Sequence, residues 1–411
     1  MQAGSNEKDI PKKRILITGS TFPRYAGDTE PRFILDLAKS LKEYYDVTVL
    51  VPADPEASMK EMIEGVKVER YHYFPIHKLE TLCYPGAIVP RIKEKKIRIL
   101  LVPFLFLGLH RAIRIRKSQY DVVHANWLIP QGIVQSYFKM PYLLTGHGGD
   151  IASLNIGPLK ALKRRAIRNA GAVTTVSRAL KEKAVSLFPE KEQAEIAEKI
   201  VVQPFGCDTT KFGRQFRVEN LWGQGNRKVV LFVGRLAEKK GVRYLIEAMQ
   251  KIDARLVIAG DGPLRPELEA RVQELSLQEK ISFIGARNHA ELPEIYASAD
   301  IFAAPSITAQ NKDTEGFPLV IFEAMASGLP VVVSKSGGIA EIIRHEYNGM
   351  LTEEKNVGQI AECINRLLAD ASLREQILAN ETETVKQYDY QVVGGTYAEL
   401  IGICDRSGVS G

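Results

Sequence analysis

Cysteine is scarce in this sequence: the 411 residues include four, and these lie far apart. They are Cys83, Cys207, Cys363 and Cys404. None belongs to a C-x-x-C pair, so the spacing indicates neither a zinc site nor a disulfide framework. A reducing, cytoplasmic compartment fits this pattern best. The first residues also do not combine a basic stretch, an apolar core and a cleavage site, so we expect no signal peptide.

Motifs that mark several other protein classes are missing as well. No G-x-G-x-x-G follows an apolar strand pattern, which argues against a dinucleotide cofactor. No Asp-x-Asp pair is present. There is no zinc-finger spacing, RNP motif or basic heptad region, so we expect no nucleic-acid partner. The composition, 45% apolar and 25% charged, is that of a globular protein.

Charge is distributed unevenly along the chain. Residues 1–210 carry 32 Lys/Arg and 22 Asp/Glu, a balance of +10, and the remainder carries 23 and 27, a balance of −4, which together give the net +6. A basic first half next to an acidic second half suggests that the first half contacts something anionic. Membrane lipid, a phosphate-bearing acceptor or nucleic acid would each qualify on charge alone.

The segment 91–117 mixes apolar and basic residues. Its eleven-residue run Ile99–Leu109 is interrupted by Pro103 and Gly108, and it is too short to span a bilayer. It is flanked by nine basic residues, Arg91, Lys93, Lys95, Lys96, Arg98, Arg111, Arg114, Arg116 and Lys117. Such a segment suits the interface of an anionic membrane, and it equally suits a buried helix with solvated ends.

Apolar runs of strand length alternate with helical patterns, which predicts an α/β fold. A chain of 411 residues is too long for one ordinary core, and residues 209–227 look like a linker between two halves. Strands are predicted at 14–18, 47–51, 66–73, 121–125, 141–145, 172–176, 200–205, 229–233, 255–259, 281–284, 301–304 and 330–334. Helices are predicted near 31–44 and 242–250, from 318 through the apolar segment 319–325, and within the stretches 359–368 and 373–400.

The most informative stretch is 313–349, DTEGFPLVIFEAMASGLPVVVSKSGGIAEIIRHEYNG. Glu315 and Glu323 lie eight positions apart, on either side of the start of an apolar segment. A helix starting at Pro318 would point free N–H groups and its positive dipole end at a ligand, which suits phosphate. Glu323, more than one turn inside, could accept hydrogen bonds from a sugar diol. The alternative is an ordinary strand–helix–strand unit with two solvated glutamates.

Other glycine-containing turns also follow predicted strands. Arg235 and Lys240 come after the strand at 229–233 and could both reach a diphosphate. His147 stands among three glycines after the strand at 141–145, where a histidine has little packing purpose. Gly27 lies in the loop after the first strand, where ligands bind in open α/β sheets. His124 and Trp127, at the end of the strand at 121–125, are predicted to face the cleft.

These motifs resemble the retaining glycosyltransferases of family 4, which have the GT-B architecture. The resemblance is carried by the Glu-x7-Glu spacing, the EAMASGLPVV run, the GG-x-x-E that ends at Glu341, the G-R-x-x-x-x-K-G from 234 to 241 and the T-x-H-x-x-D from 145 to 150. It implies an α/β fold with two Rossmann-like domains whose parallel sheets face each other across a cleft. Residues 1–212 would form the acceptor-side domain and 213–387 the nucleotide-sugar domain, with a helix at about 388–411 crossing back.

The resemblance also implies roles for individual residues. His147, Arg235, Lys240 and Glu315 would be catalytic, with the two cations neutralising a leaving nucleoside diphosphate without a metal or cofactor. Donor-binding residues would be Gly27, Gly234, Arg235, Lys240, Arg287, Glu315, Gly316, Phe317, Pro318, Leu319 and Glu323. Candidates on the acceptor side are His124, Trp127 and Asp150.

The reaction implied is transfer of a hexose, with retention, from GDP-mannose or a UDP-hexose to a glycan, glycolipid or polyprenyl-linked acceptor. No carboxylate is clearly placed as a covalent nucleophile, so front-face substitution is expected. The setting would be cell-surface polysaccharide assembly by a cytoplasmic enzyme, peripheral on the inner membrane face. A sugar-nucleotide 2-epimerase of the same shape, or a binding protein without activity, are the alternatives.

Overall fold

The structure is a computed structural model that describes residues 11–28, 30–223, 227–310 and 314–407. Five parts of the predicted domains and linker, at 1–10, 29, 224–226, 311–313 and 408–411, lie outside the described residues, and with them the first residue of the stretch 313–349. The described chain forms two parallel-sheet, Rossmann-like domains, so the predicted fold class is confirmed.

The first domain is built on a sheet that has eight strands within the described residues, in the order β3-β4-β2-β1-β5-β6-β7-β8. Its elements in chain order are β1 (Arg14–Thr18), α1 (Phe33–Leu41), β2 (Asp46–Pro52), β3 (Lys60–Ile63), β4 (Val66–Tyr71), α2 (Ile88–Glu94), α3 (Val102–Arg116), β5 (Val122–Asn126), α4 (Ile133–Gln135), β6 (Tyr142–Gly146), α5 (Gly149–Ala152), α6 (Gly157–Asn169), β7 (Ala172–Thr175), α7 (Arg178–Val185), α8 (Glu190–Lys199) and β8 (Ile200–Val202).

The second domain has a sheet of six described strands in the order β11-β10-β9-β12-β13-β14. Its elements are β9 (Val229–Val233), α9 (Val242–Ala248), β10 (Arg255–Ala259), α10 (Arg265–Glu274), β11 (Ile281–Gly285), α11 (Leu292–Ala297), β12 (Ile301–Ala304), α12 (Leu319–Ala326), β13 (Val331–Ser334), β14 (Met350–Thr352), α13 (Val357–Ala369) and α14 (Ala371–Lys386), and the chain ends in α15 (Tyr390–Ser407). Short 3-10 turns lie at Glu238–Lys240 and Ile339–Glu341, among other places.

The central strands carry apolar residues at nearly every position because helices cover both faces of each sheet. Strands β9, β12 and β13 are buried along their whole length, as parallel strands inside α/β domains are. Most strands lead through a loop into a helix, and so the loops that follow the parallel strands collect at one edge of each sheet. These two edges carry the candidate site.

Two strands escaped the sequence prediction, β3 and β14. Strand β3 pairs antiparallel with β4 through a two-residue turn at Glu64 and Gly65, both with positive φ. Such turns favour the pair Asn-Gly or Asp-Gly, and Glu-Gly gives a weaker signal. Strand β14 has three residues, too few for a recognisable alternation.

The helical stretch predicted at 373–400 is divided between α14 and α15, with a break at 387–389. At the break, Cys207 N donates to the carbonyl of Tyr388 at 2.8 Å, and Tyr390 N donates to the carbonyl of Cys207 at 3.2 Å. After the break, α15 returns to pack on α1 and against β6 of the first domain. The predicted boundary at 212 stays a prediction, although the side chains of Cys207 and Phe212 pack in the second domain's core.

The segment 91–117 divides its apolar residues between the core and the surface. Leu105, Leu109, Ala112 and Ile113 of α3 are buried. By contrast, Ile97 is 70% exposed, Leu100 63% and Leu107 66%. The interpretation as a buried helix describes one face of α3, and contact of the exposed residues with a membrane stays a prediction. No helix within the described residues has the length and apolar character needed to cross a membrane.

Helix α14 is fastened to the second sheet by a buried carboxyl group. Glu381 Oε1 accepts a hydrogen bond from Val331 N at 3.0 Å, and the side chain has no exposed surface. Burial raises the pKa of Glu381 well above its usual range, despite opposing effects of this hydrogen bond and of Arg214. A carboxyl group of this kind is protonated when the protein folds.

The Glu381→Gln variant is expected to be more stable than the wild type at pH 8 and nearly equal to it near pH 4. The folded wild type holds a proton that the unfolded chain releases above its own pKa of about 4.3, so the wild type loses stability as pH rises. Thermal unfolding at both pH values measures this, with the exposed Glu383→Gln of the same helix as control. A stability difference that does not change with pH would contradict the assignment.

Candidate active site

The second domain buries one carboxylate between two lysine ammonium groups. Glu315 lies in the loop between β12 and α12, and its Oε2 is 3.0 Å from Lys240 Nζ, while its Oε1 is 3.5 Å from Lys239 Nζ. Both lysines come from the 3-10 turn that follows β9. Burial alone would raise the pKa of Glu315, but Lys240 and Lys239 outweigh it and the pKa is lowered. Glu315 is therefore ionised at neutral pH.

Two glycines of the GG-x-x-E motif lie directly against the backbone of this loop. A Cβ atom at Gly337, which has φ +55°, would overlap the carbonyl oxygen of Glu315. A Cβ at Gly338 would lie 2.6 Å from the carbonyl oxygen of Gly316. A Cβ at Gly316 would in turn lie 2.9 Å from the carbonyl oxygen of His147, in the first domain. The two domains thus meet at Gly316, backbone against backbone.

His147 follows β6 and forms the first domain's side of this meeting point. Its ring packs among Trp127 at 4.5 Å between centroids, Phe33 at 5.2 Å and Phe205 at 5.2 Å. Its Nε2 lies 3.2 Å from Asn126 Oδ1. Burial, helped by the neighbouring His124, lowers the pKa of His147 to about 3. The imidazole is consequently neutral at physiological pH.

The prediction that His124 faces the cleft is wrong. Its side chain is fully buried within β5, with Nε2 2.7 Å from Thr145 Oγ1 and its ring 5.5 Å from that of Tyr397. Burial lowers the pKa of His124 to about 3. Side chains alternate between the two faces of a strand, and the face that carries His124 is covered by α15. Only the fold of the distant C-terminal helix reveals this.

Asp150 holds the loop after β6 in shape. Its Oδ1 accepts hydrogen bonds from the backbone N–H groups of His147 at 3.1 Å and Gly148 at 2.8 Å, and its Oδ2 accepts one from Leu128 N at 2.8 Å. Burial raises its pKa, although these hydrogen bonds oppose the change. Both oxygens are thus engaged within the domain, and a contact of Asp150 with an acceptor stays a prediction.

Glu323 lies inside α12 with one oxygen already hydrogen-bonded. Tyr296 donates its hydroxyl to Glu323 Oε2 at 2.8 Å, and His289 Nε2 lies 3.7 Å from Glu323 Oε1. Phe212 packs edge-on against both rings. Tyr296 therefore orients the carboxylate through Oε2. The other oxygen, Oε1, receives no hydrogen bond from Tyr296.

Sequence reasoning missed Lys239, His289 and Tyr296. Lys239 directly precedes Lys240, and the motif specifies a lysine only at position 240. Tyr296 looks like a core residue of α11, and His289 stands in a polar turn without a recognisable spacing. Their roles depend on distances to Glu315 and Glu323 that only the folded chain defines.

Two family models match this chain. The one described as Glycosyltransferase Family 4 matches residues 31–211, and the one described as Glycosyl transferases group 1 matches residues 217–384. An uncharacterized glycosyltransferase of Methanocaldococcus jannaschii is 35% identical over 345 residues, which cover 79% of this chain and 81% of that protein. This chain belongs to glycosyltransferase family 4.

Other members with named activities are also similar. The GDP-mannose-dependent alpha-(1-6)-phosphatidylinositol monomannoside mannosyltransferase of Mycolicibacterium smegmatis is 29% identical over 266 residues, or 62% of this chain and 68% of its own length. Among solved structures, a sucrose-phosphate synthase from Thermosynechococcus elongatus has a TM-score of 0.73 at 21% identity, covering 95% of this chain and 98% of its own. HepE of Anabaena in complex with UDP-glucose has a TM-score of 0.67 at 23% identity, covering 95% and 99%. The GT-B fold of this glycosyltransferase is thereby confirmed.

Three more predicted residues of this family 4 glycosyltransferase, Arg235, Gly234 and Arg287, differ in exposure and contacts. Arg235 is exposed. The pKa of Glu94 in the first domain is lowered mainly by a hydrogen bond from Arg98, and the charge of Arg235 adds a smaller effect. A Cβ at Gly234 would lie 3.6 Å from Lys240 Cε, so the two residues adjoin. Arg287 forms a surface ion pair with Glu291 at 3.2 Å.

The loop into α12 and the loop after β1 complete the predicted donor residues. Helix α12 begins at Leu319, one residue later than predicted, with Pro318 in the preceding cap position. Phe317 and Leu319 pack against the core of the first domain, so the start of α12 lies between the domains. Gly27 has φ +86° and open space around it.

The Gly337→Ala variant of this glycosyltransferase is expected to lose activity and some stability. Its φ of +55° costs about 1–2 kcal/mol for a residue with a Cβ, and the new methyl group would push the Glu315 carbonyl away. Activity and thermal unfolding measure the two effects. Gly402→Ala is the control, because it lies in α15 with open space and should gain up to about 1 kcal/mol. Equal behaviour of the two variants would contradict the packing described.

Proposed function

We propose that this enzyme is a retaining, metal-independent glycosyltransferase that moves a hexose from a nucleoside-diphosphate sugar to a glycan, glycolipid or polyprenyl-linked acceptor. The donor would be GDP-mannose or a UDP-hexose, and the setting cell-surface polysaccharide assembly. The observation that carries the proposal is the buried pairing of Glu315 with Lys239 and Lys240, next to the start of α12 and at the contact between the domains.

The charges around Glu315 suit a diphosphate. Lys240 would bind the phosphates together with the exposed Arg235, and the first amide N–H groups of α12 would add a positive dipole end. Cations placed where negative charge develops stabilise the leaving group in the role that Mg²⁺ has in other transferases.

The ribose would bind beside Glu323. Tyr296 occupies one oxygen of this carboxylate and fixes its plane, so that the other oxygen can accept hydrogen bonds from the ribose diol. His289 would lie next to the nucleoside, where Phe212 supports its ring. Neither contact discriminates between guanine and uracil, so both donors remain within the proposal.

The transferred sugar would lie between Glu315 and His147. Because the pKa of His147 is lowered to about 3, the ring acts as a neutral hydrogen-bonding group over the physiological range. Its aromatic neighbours exclude water from one side of the reacting centre. Exclusion of water strengthens the electrostatic interactions and limits hydrolysis of the donor.

The carboxylates near the cleft favour front-face substitution. Glu315 is neutralised by two lysines, Asp150 is bound by three backbone N–H groups, and Glu323 accepts a hydrogen bond from Tyr296. Each is therefore a weakened nucleophile toward an anomeric carbon. Departure of the diphosphate would leave an oxygen that accepts the acceptor's proton on the same face, which retains the anomeric configuration.

Relatives support the donor and acceptor classes. The mycobacterial relative is named as a GDP-mannose-dependent enzyme acting on a phosphatidylinositol mannoside, and the Anabaena structure contains UDP-glucose. A lipid-linked acceptor would also account for the exposed apolar and basic residues of the segment 91–117. Six of its nine basic residues are exposed, namely Lys93, Lys95, Lys96, Arg111, Arg114 and Lys117.

The proposed function is tested by incubating the enzyme with GDP-mannose and UDP-hexoses, each with lipid-linked and soluble glycan acceptors, in the presence of EDTA. We expect free nucleoside diphosphate and a new glycoside whose anomeric configuration, read by NMR, matches the donor. A rearranged donor without a glycoside would indicate an epimerase, and an inverted product would overturn the retaining mechanism.

The Lys240→Ala variant should lower kcat by about 100- to 1,000-fold, the usual cost of losing one charge-stabilising group in an active site. Folding should persist, because Lys239 still neutralises Glu315. Steady-state kinetics and thermal unfolding measure the two effects. The matched control is Lys335→Ala, which removes a surface ion pair with Glu353. Turnover like that of the control would contradict the role of Lys240.

The double variant Leu100→Ser/Leu107→Ser is expected to bind anionic vesicles more weakly while leaving transfer to a soluble acceptor unchanged. Both side chains are largely exposed beside the basic residues, so they are placed to enter a bilayer interface. Vesicle co-sedimentation with and without phosphatidylglycerol measures binding. Ile403→Ser, an exposed apolar residue of α15, is the control. Equal binding by all three proteins would remove the membrane contact from the proposal.

A further inference from the structure

Glu341 ends the GG-x-x-E motif, and nothing in the proposed chemistry uses it. It lies in the second domain, at the end of the 3-10 turn Ile339–Glu341. Its Oε2 accepts a hydrogen bond from Arg178 N at 2.8 Å, and its Oε1 accepts one from Ala179 N at 3.2 Å. Both donors belong to the first turn of α7 in the first domain. A side chain of one domain therefore caps a helix of the other.

The cap has a clear electrostatic basis. The first N–H groups of a helix have no partner within the helix, and they carry its positive dipole end. Ser177, the N-cap residue, satisfies Leu180 N at 3.3 Å. Glu341 satisfies the two N–H groups that Ser177 does not reach. The start of α7 is thus completed only when the second domain is in place.

The turn that ends at Glu341 begins on the donor side of the site. Gly337 lies against the carbonyl oxygen of Glu315, and Gly338 lies against that of Gly316. A Cβ at Gly338 would also lie 2.9 Å from Ser177 Cβ in the first domain. Residues 337–341 therefore contact the loop of Glu315 and Gly316 at one end and α7 at the other. A shift of the loop that contains Glu315 and Gly316 would therefore displace Glu341.

We propose that Glu341 is a positioning residue that latches the second domain to α7 and holds His147 and Glu315 on opposite sides of one closed site. Glu341 is exposed to solvent, so the latch can open and close with little desolvation. Catalytic groups supplied by two domains need such a contact, because small displacements between them slow the reaction strongly. The inference rests on the proposed function for its kinetic consequence, and on the contacts alone for closure.

The distance between the domains can be measured directly by fluorescence transfer between labels. The four native cysteines are buried, so thiol labels will react mainly at introduced cysteines. Glu195→Cys on α8 and Glu375→Cys on α14 place exposed labels on the two domains. The distance is recorded with and without UDP or GDP, in this background and after Glu341→Ala, Glu341→Gln or the surface control Glu362→Ala.

We expect Glu341→Ala to broaden and lengthen the interdomain distance, and Glu341→Gln to lie between it and the wild type, since the amide keeps one accepting oxygen. The value of kcat should fall about three- to tenfold, the effect of losing a helix cap, while nucleotide affinity stays within about twofold. Distances and kcat equal to the Glu362→Ala control would overturn the latch. Loss of nucleotide affinity as large as the loss of kcat would instead place Glu341 in the donor site.

The two readouts separate this inference from the proposed function. If every donor proves inactive while Glu341→Ala still lengthens the distance, the latch stands and the proposed reaction fails. If transfer occurs and the distance does not respond, the reaction stands and the latch is overturned.

Discussion

A carboxylate buried between two ammonium groups is the interaction on which the rest of this structure depends. Removing a carboxylate from water is costly unless opposite charge and hydrogen bonds accompany it. Lys239 and Lys240 supply that charge to Glu315 from the turn after β9. The pairing therefore fixes the loops that follow β9 and β12 relative to each other, and it places a net positive charge where a diphosphate would bind.

The backbone around Glu315 extends this constraint to the other domain. Gly337 and Gly338 can lie against Glu315 and Gly316 only because they lack side chains, and Gly316 in turn adjoins His147. The first domain contributes the aromatic side chains that pack around His147, whose imidazole stays neutral. The second domain thus contributes charged side chains at the site, and the first contributes neutral, largely apolar ones. This difference is expected if a charged donor binds to the second domain and a hydroxyl acceptor binds on the side of the first.

Much of this could be predicted from the sequence, because the strongest signals are local. The runs that became β1, β9, β10 and β12 are apolar, of strand length and bounded by glycine or polar turns, and their predicted bounds are those of the structure. The clustering of Lys240 and Glu315 also followed, since loops after neighbouring parallel strands meet at one edge. These predictions need no knowledge of distant contacts.

The failures concern residues whose surroundings are set by distant parts of the chain. His124 ends up in the interior because α15, more than 250 residues later, covers that face of β5. The roles proposed for Tyr296 and His289 depend on their distances to Glu323, which lies on another helix. The break before α15 depends on hydrogen bonds to Cys207 that no local pattern encodes. Local periodicity predicts elements, and it does not predict which face a remote helix will cover.

The most direct test of the central claim is a calorimetric titration of the wild-type enzyme with UDP and GDP, in EDTA and in excess Mg²⁺. If lysine side chains and helix amides are what hold the diphosphate, at least one nucleotide should bind with a Kd that differs by less than about twofold between the two conditions and weakens as salt screens the charges. Binding that appears only when Mg²⁺ is present would contradict the account.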